Sequence, residues 1–248
     1  MRLGDLSSYA CYYGYGRLTQ LAAYDLAIIQ AAAYAAGEIA WLEAQGTRTI
    51  AYLSVGELPA AEADPAWVAR DGATGAPRYN RAWDTVLLDC RAPAWQEHVL
   101  NVAIPRLLDR GVTGLFLDTI DVQDALPETR PGVITLLHRV REAYPNLVLL
   151  VNRGFTILET VVEIADGVVF EAFTTHHDGH GYAVWPDSDL AWTALMAQRV
   201  RAAAPELPLL ALDYAAPDDN DLRNLAAARA QAHTMLSFVG PWSLDWLP

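Results

Sequence analysis

The sequence predicts a single (β/α)8 barrel, and length, strand pattern and alternation are the observations behind that prediction. A chain of 248 residues suits the roughly 250 that eight strand–helix units need, whereas two domains would each be small. Eight short runs are apolar at successive positions instead of every second one, the mark of strands buried on both faces of a parallel sheet. Longer stretches with helical spacing lie between them, and such alternation closes most simply into a barrel.

In chain order the runs are Tyr9–Tyr13, Leu26–Ile29, Thr49–Val55, Thr85–Leu88, Gly114–Leu117, Leu147–Val151, Gly167–Phe170 and Leu207–Leu212. The helical stretches begin with Ala31–Gly46 and Pro93–Arg110, the latter carrying Trp95, Val99, Val102 and Leu107 at helical spacing. Gly132–Tyr144, Ser188–Ala204 and Asp218–His233 follow. In the fourth of these, Ser188 is the expected N-cap, and Leu190, Ala191, Ala194 and Leu195 are the expected apolar positions. A ninth run, Met235–Val239, is left over. It either closes the barrel in place of another run or caps one end as an extra short strand; a doubly wound open sheet is the alternative architecture. Asp64–Arg81 and Phe173–Asp187 read as long rim loops. With no repeat, linker or low-complexity tract, residues 1–248 read as one domain.

Composition removes several function classes. Apolar residues make up 53% and charged residues 19%, which argues against disorder. All 17 basic residues are arginine, which excludes Schiff-base, pyridoxal-phosphate and P-loop chemistry, since each needs a lysine amine. A net charge of −13 repels nucleic acid and attracts cationic substrates. Cys11 and Cys90 are too few for a disulfide framework and read as small buried hydrophobes. No run of apolar residues is long enough to span a membrane. Met1–Ala10 has one arginine and no apolar core of the signal-peptide kind. The compartment stays open: a cytoplasmic protein or a mature or trimmed form.

In α/β barrels the chemistry sits at the carboxyl ends of the strands. Here those ends hold Tyr12-Tyr13, Gln30, Glu57, Asp89, Asp118 with Asp121, Asn152-Arg153, Glu171 and Asp213-Tyr214. Apolar strands that repeatedly end in an acid are not a packing solution, because a buried unpaired carboxylate costs several kcal/mol. A pocket of acids, amides and tyrosines suits a polyhydroxylated or amino-bearing ligand. Glycoside hydrolysis needs two carboxyl groups, one to protonate the leaving oxygen and one to attack the anomeric carbon or activate water. Asp118 and Glu171 are the expected pair, since each directly follows a strongly apolar strand. Phe170 and Phe173 favour Glu171 as the acid/base, by desolvation, and leave Asp118 as nucleophile, although the roles could be exchanged. Tyr13, Glu57, Asp121, Asn152, Arg153, Asp213 and Tyr214 are the expected substrate-binding residues.

The segments Tyr12-Tyr13-Gly14, Tyr52-Leu53-Ser54-Val55-Gly56-Glu57, Gly114–Asp121 and Asn152-Arg153-Gly154-Phe155 resemble the signature segments of glycoside hydrolase family 114, the endo-α-1,4-polygalactosaminidase group. The resemblance runs in order from about Tyr9 to Val239. It implies a (β/α)8 barrel that cleaves α-1,4-linked galactosamine-containing polysaccharide, with Asp118 and Glu171 as the catalytic carboxylates and no cofactor. The partner is then an amino-sugar polysaccharide or oligosaccharide. The loop His176-His177-Asp178-Gly179-His180 departs from the pattern. Its residue types suit zinc, but its spacing matches no common ligand motif, so no metal site is expected. The competing readings are a non-catalytic carbohydrate-binding barrel and a metal-dependent hydrolase or deacetylase built on that loop.

Overall fold

The structure, a computed structural model, describes residues 3–248. Met1 and Arg2, at the start of the stretch read above for export signals, lie outside the described residues. Eight strands run parallel in one sheet: β1 (Tyr9–Tyr12), β2 (Leu26–Ile29), β3 (Arg48–Ser54), β4 (Gly114–Asp118), β5 (Val148–Asn152), β6 (Gly167–Glu171), β7 (Leu209–Tyr214) and β8 (Leu236–Gly240). Each pairs with its neighbour in chain order, and β8 returns beside β1, so that the ring is nearly closed. Tyr9 helps to close it: its ring lies 6.0 Å from Phe238, and its hydroxyl donates to the Ala211 carbonyl at 2.6 Å. All residues of β1, β2 and β7 are buried, as strands covered on both faces require.

The strand count is corrected at one position. Thr85–Leu87 is not a barrel strand but the middle of a three-stranded antiparallel sheet with Glu57–Pro59 and Tyr79–Asn80. That rim sheet buries Val86 and Leu87, which is why the run is apolar. The leftover run near the carboxyl terminus takes the vacated place as β8. The two expected rim loops are also partly ordered. Asp64–Arg81 contributes the edge strand Tyr79–Asn80, and Phe173–Asp187 folds into a hairpin of Thr175–His177 and Tyr182–Val184.

Helices surround the barrel. Ala36–Gln45 ends at Gly46 in the left-handed conformation, φ 97°, which glycine adopts without steric cost. The helix from Pro93 widens into a π turn at Val99–Ala103 before continuing as Ile104–Leu108. Pro105 has no amide to donate back along the helix, and the widened turn just before it absorbs the missing bond. Arg130–Ala143, Leu158–Ile164, Asp187–Ala203 and Asn220–Ala232 follow. Asp219 caps the last of these, accepting from the Leu222 amide at 3.0 Å. The helix of Asp187–Ala203 differs from expectation. Pro186, not Ser188, precedes its first turn without a side-chain cap, and its buried face is Thr193, Met196, Ala197 and Val200. Leu195 is half exposed. No helix among the described residues is long and apolar enough to cross a membrane.

Candidate active site

Asp118, Asn152 and Glu171 are the last residues of the adjacent strands β4, β5 and β6. Each is followed by a non-glycine residue at positive φ: Thr119 at 58°, Arg153 at 55° and Ala172 at 51°. Such residues cost roughly 1–2 kcal/mol each, and clustering at three neighbouring strand ends marks the place where the fold sets side-chain direction against backbone preference. The sequence motifs supply the counterweight. The Thr119 hydroxyl accepts from the amides of Val55 at 3.1 Å and Gly56 at 2.7 Å and shares a bond with the Ser54 hydroxyl at 2.9 Å. Gly56 must be glycine, because a Cβ there would stand 2.3 Å from the Thr119 carbonyl oxygen. Gly154, at φ 72°, would carry its Cβ 2.5 Å from Ile120. These two glycines thus let the turns after β3, β4 and β5 pack on one another.

The Asn152 amide nitrogen donates to Asp118 Oδ1 at 2.7 Å and to Glu171 Oε2 at 2.6 Å. These two oxygens are therefore at most about 5.3 Å apart, the length of both bonds laid end to end. Glu171 Oε1 accepts from the Tyr214 hydroxyl at 2.7 Å. Burial first, and then the nearby Glu171 charge, push the Asp118 carboxyl up to about 6, against the bond from Asn152. Tyr13 and Tyr52 meet edge to face at 5.3 Å beside it, and burial raises both hydroxyls. Burial likewise raises the Cys11 thiol, so it is held as a neutral side chain.

Asp118, Glu171, Tyr13, Glu57, Asp121, Asn152, Arg153 and Tyr214 all face one cavity of 1510 Å³ at the carboxyl ends of the strands. Glu57 is clamped from the rim sheet, accepting from Asn80 at 3.1 Å on each oxygen and from Thr85 at 2.6 Å. Arg153 donates twice to the Glu171 backbone carbonyl, at 3.1 and 2.7 Å. Burial raises the Asp121 carboxyl, with Arg153 opposing.

Asp213 departs from its expected role. It is fully buried and lies outside the cavity lining. Its Oδ1 accepts from the amides of Thr174 at 2.5 Å and Thr175 at 2.8 Å, so it anchors the start of the rim hairpin. Burial pushes it up to about 6, against those bonds. Its side chain serves the hairpin backbone and does not line the cavity. Phe170 and Phe173 are also misplaced by the sequence argument. They pack on Phe155 and on each other, away from the cavity, and Arg229 covers Phe173 at 4.0 Å. Neither ring lines the cavity, so they give no ground for choosing which of the two carboxyl groups is the acid/base.

The histidine loop is used in ring packing. His176 stacks on Trp185 at 3.7 Å and His177 on Trp242 at 5.4 Å. Among the described residues no group of three or more His, Cys, Asp or Glu is arranged to hold a metal ion. Gln30, a strand end to which the sequence assigned no role, lines the cavity, as do Tyr52, Trp83 and Trp242. Tyr52 was legible as an inward position two residues before Ser54, whereas the two tryptophans come from a turn and a terminal segment with no strand signal.

A nearly closed parallel barrel whose strand ends carry two carboxyl groups, from β4 and β6, into one cavity has the architecture of a barrel hydrolase of glycosidic bonds. The profile of glycoside-hydrolase family GH114 matches residues 4–240, and the chain belongs to that family. A variant of the glycoside hydrolase domain of PelA from Pseudomonas aeruginosa superposes with a TM-score of 0.86 at 28% identity, over 98% of each chain. Ega3 from Aspergillus fumigatus, solved in complex with galactosamine, gives 0.72 at 14% identity over 100% of this chain and 96% of its own. TtGalA, an α-galactosidase from Thermus thermophilus, gives 0.65 at 18% identity over 100% of this chain and 60% of its own. The last two are likenesses of fold. No curated protein sequence matches the chain.

Proposed function

We propose that this chain hydrolyses α-1,4-linked galactosamine-containing polysaccharide with retention of configuration, using Asp118 and Glu171 as its two catalytic carboxyl groups. Membership of the glycoside-hydrolase family supports the reaction class, and the galactosamine bound to the structurally similar Ega3 supports the sugar. The observation that carries the reading is the single Asn152 nitrogen bonded to both carboxyl groups. An oxygen separation bounded at about 5.3 Å lies on the side of retaining enzymes, whose carboxyl groups are roughly 5–5.5 Å apart and in which one carboxylate attacks the sugar directly. Inverting enzymes need about 6.5–9.5 Å, to seat a water.

In this mechanism the pair carries one proton. The protonated carboxyl gives it to the leaving glycosidic oxygen while the ionised one bonds to the anomeric carbon, forming a glycosyl ester. Water then breaks that ester, giving its proton back to the first group. Asn152 and Tyr214 hold the carboxyl groups in line, which preserves the attack geometry. Around them Glu57 and Asp121 add negative charge. Together with a net charge of −13, this favours a cationic, de-N-acetylated glycan over its neutral acetylated form. Mass spectrometry of products from α-1,4-galactosamine oligomers and from their N-acetylated counterparts tests the reading. Shorter amino-sugar oligomers from the first substrate, formed faster than from the second, are expected. No cleavage of either, or equal cleavage of both, would overturn it.

A further inference from the structure

Trp83 occupies the turn between Tyr79–Asn80 and Thr85–Leu87 of the rim sheet, and it is 50% exposed. It stacks on Trp242 with ring centroids 4.3 Å apart and planes 22° apart. Trp242 itself is partly buried, with His177 stacked at 5.4 Å and Tyr214 edge-on at 4.9 Å. Trp83 is therefore the outer, solvent-facing member of the group, and it lines the cavity. The chain of contacts from Trp83 through Trp242 and Tyr214 ends on Glu171. Set in the cavity wall, the half-exposed indole offers a free aromatic face to a bound ligand.

The same turn controls a charge. Asn80 and Thr85, which flank it, are the two residues that clamp Glu57. No ion pair among the described residues includes Glu57. A carboxylate offers about four acceptor positions, and the three bonds leave room for a cation. An exposed aromatic face and a carboxylate without a cationic partner thus both line the cavity from the rim sheet. That combination suits a pyranose ring with an ammonium group: C–H bonds on the indole face, and the amine on the acid.

We infer that Trp83, backed by Trp242 and paired with Glu57, forms a second subsite that holds a cationic amino-sugar ring of the polysaccharide away from the two catalytic carboxyl groups. This rests on the hydrolytic reading above for its choice of sugar. The subsite adds binding to chains long enough to reach it and nothing to shorter ones.

The test is calorimetric binding of short and long α-1,4-galactosamine oligomers to the full chain carrying Glu171→Gln, with and without Trp83→Ala, alongside turnover by the chain with native Glu171. Trp83→Ala should weaken binding of long oligomers about three- to tenfold and leave the shortest ones unchanged. Trp83→Phe should restore part of the loss. In turnover, Trp83→Ala should raise KM for long oligomers with little change in kcat. An equal loss at every length would make Trp83 merely structural, and no loss at any length would remove the subsite; either result overturns the inference. If long oligomers bind through Trp83 but none is cleaved by the native chain, the subsite stands and the hydrolytic reading falls. If cleavage is normal at every length in Trp83→Ala, the reverse holds.

Discussion

An ionised Asp118 works against the folded state. Its carboxyl is raised from 3.8 to about 6 in the fold, so between those pH values the native chain binds the proton more tightly than the unfolded one. The contribution to stability is therefore greatest below about pH 4 and falls as pH rises towards 6. Asp118→Asn keeps the shape and removes the ionisation. It should stabilise the protein by about 1–3 kcal/mol at pH 7.5, measured by urea unfolding, and by much less at pH 4. Lower stability of the variant at pH 7.5 would show that the carboxylate is better compensated than its surroundings indicate. The same proton bears on the rate. Turnover should follow a bell-shaped pH profile, falling on the acid side when both groups of the pair are protonated and on the alkaline side when the shared proton is lost.

Strand parity decides most of the differences between what the sequence offered and what the fold does with it. Successive residues of a strand point to opposite faces. Glu171 faces the cavity, so Phe170 beside it in sequence faces the helices; Tyr214 faces the cavity, so Asp213 does not. Adjacency in sequence was legible, and facing required the register. The motif acids Glu57, Asp118 and Asp121 and the amide Asn152 were legible because strand ends carry them on one rim whatever the strand count. The count itself misled at Thr85–Leu88, since a short apolar run in a rim sheet has the same pattern as a buried parallel strand. Trp83 and Trp242 were invisible because tertiary contact alone joins them. At this scale Thr119 ties two elements together, and Thr119→Val tests it. The change leaves the amides of Val55 and Gly56 without the hydroxyl that accepts from them. Unfolding free energy should fall by about 1–3 kcal/mol, and KM should rise as the turn that carries Glu57 shifts. Unchanged stability would mean that the Gly56 packing alone holds the turn.

For the molecule as a whole, electrostatics and closure act together. The barrel brings acids from the rim strand after β3, from β4 and the turn after it, and from β6 to one mouth, and the net charge of −13 adds a long-range field of the same sign. Association with a polycationic chain should therefore weaken as salt rises. Exposed charges are screened beyond about 8–10 Å at physiological ionic strength. kcat/KM on galactosamine oligomers should drop steeply between low and high salt through KM; a rate indifferent to salt would mean that hydrogen bonding and stacking, not charge, select the substrate.

The central claim is that Asp118 and Glu171 perform the hydrolysis, and the most direct measurement is the turnover of α-1,4-galactosamine oligomers by Asp118→Asn and Glu171→Gln, each checked for native circular dichroism. Loss of a positioned proton donor is worth roughly 10²–10⁴-fold, and loss of the nucleophile should cost at least as much. Each variant should stay folded and lose activity by that order, whereas near-native turnover from either one, on a substrate that the unaltered chain cleaves, would contradict the assignment.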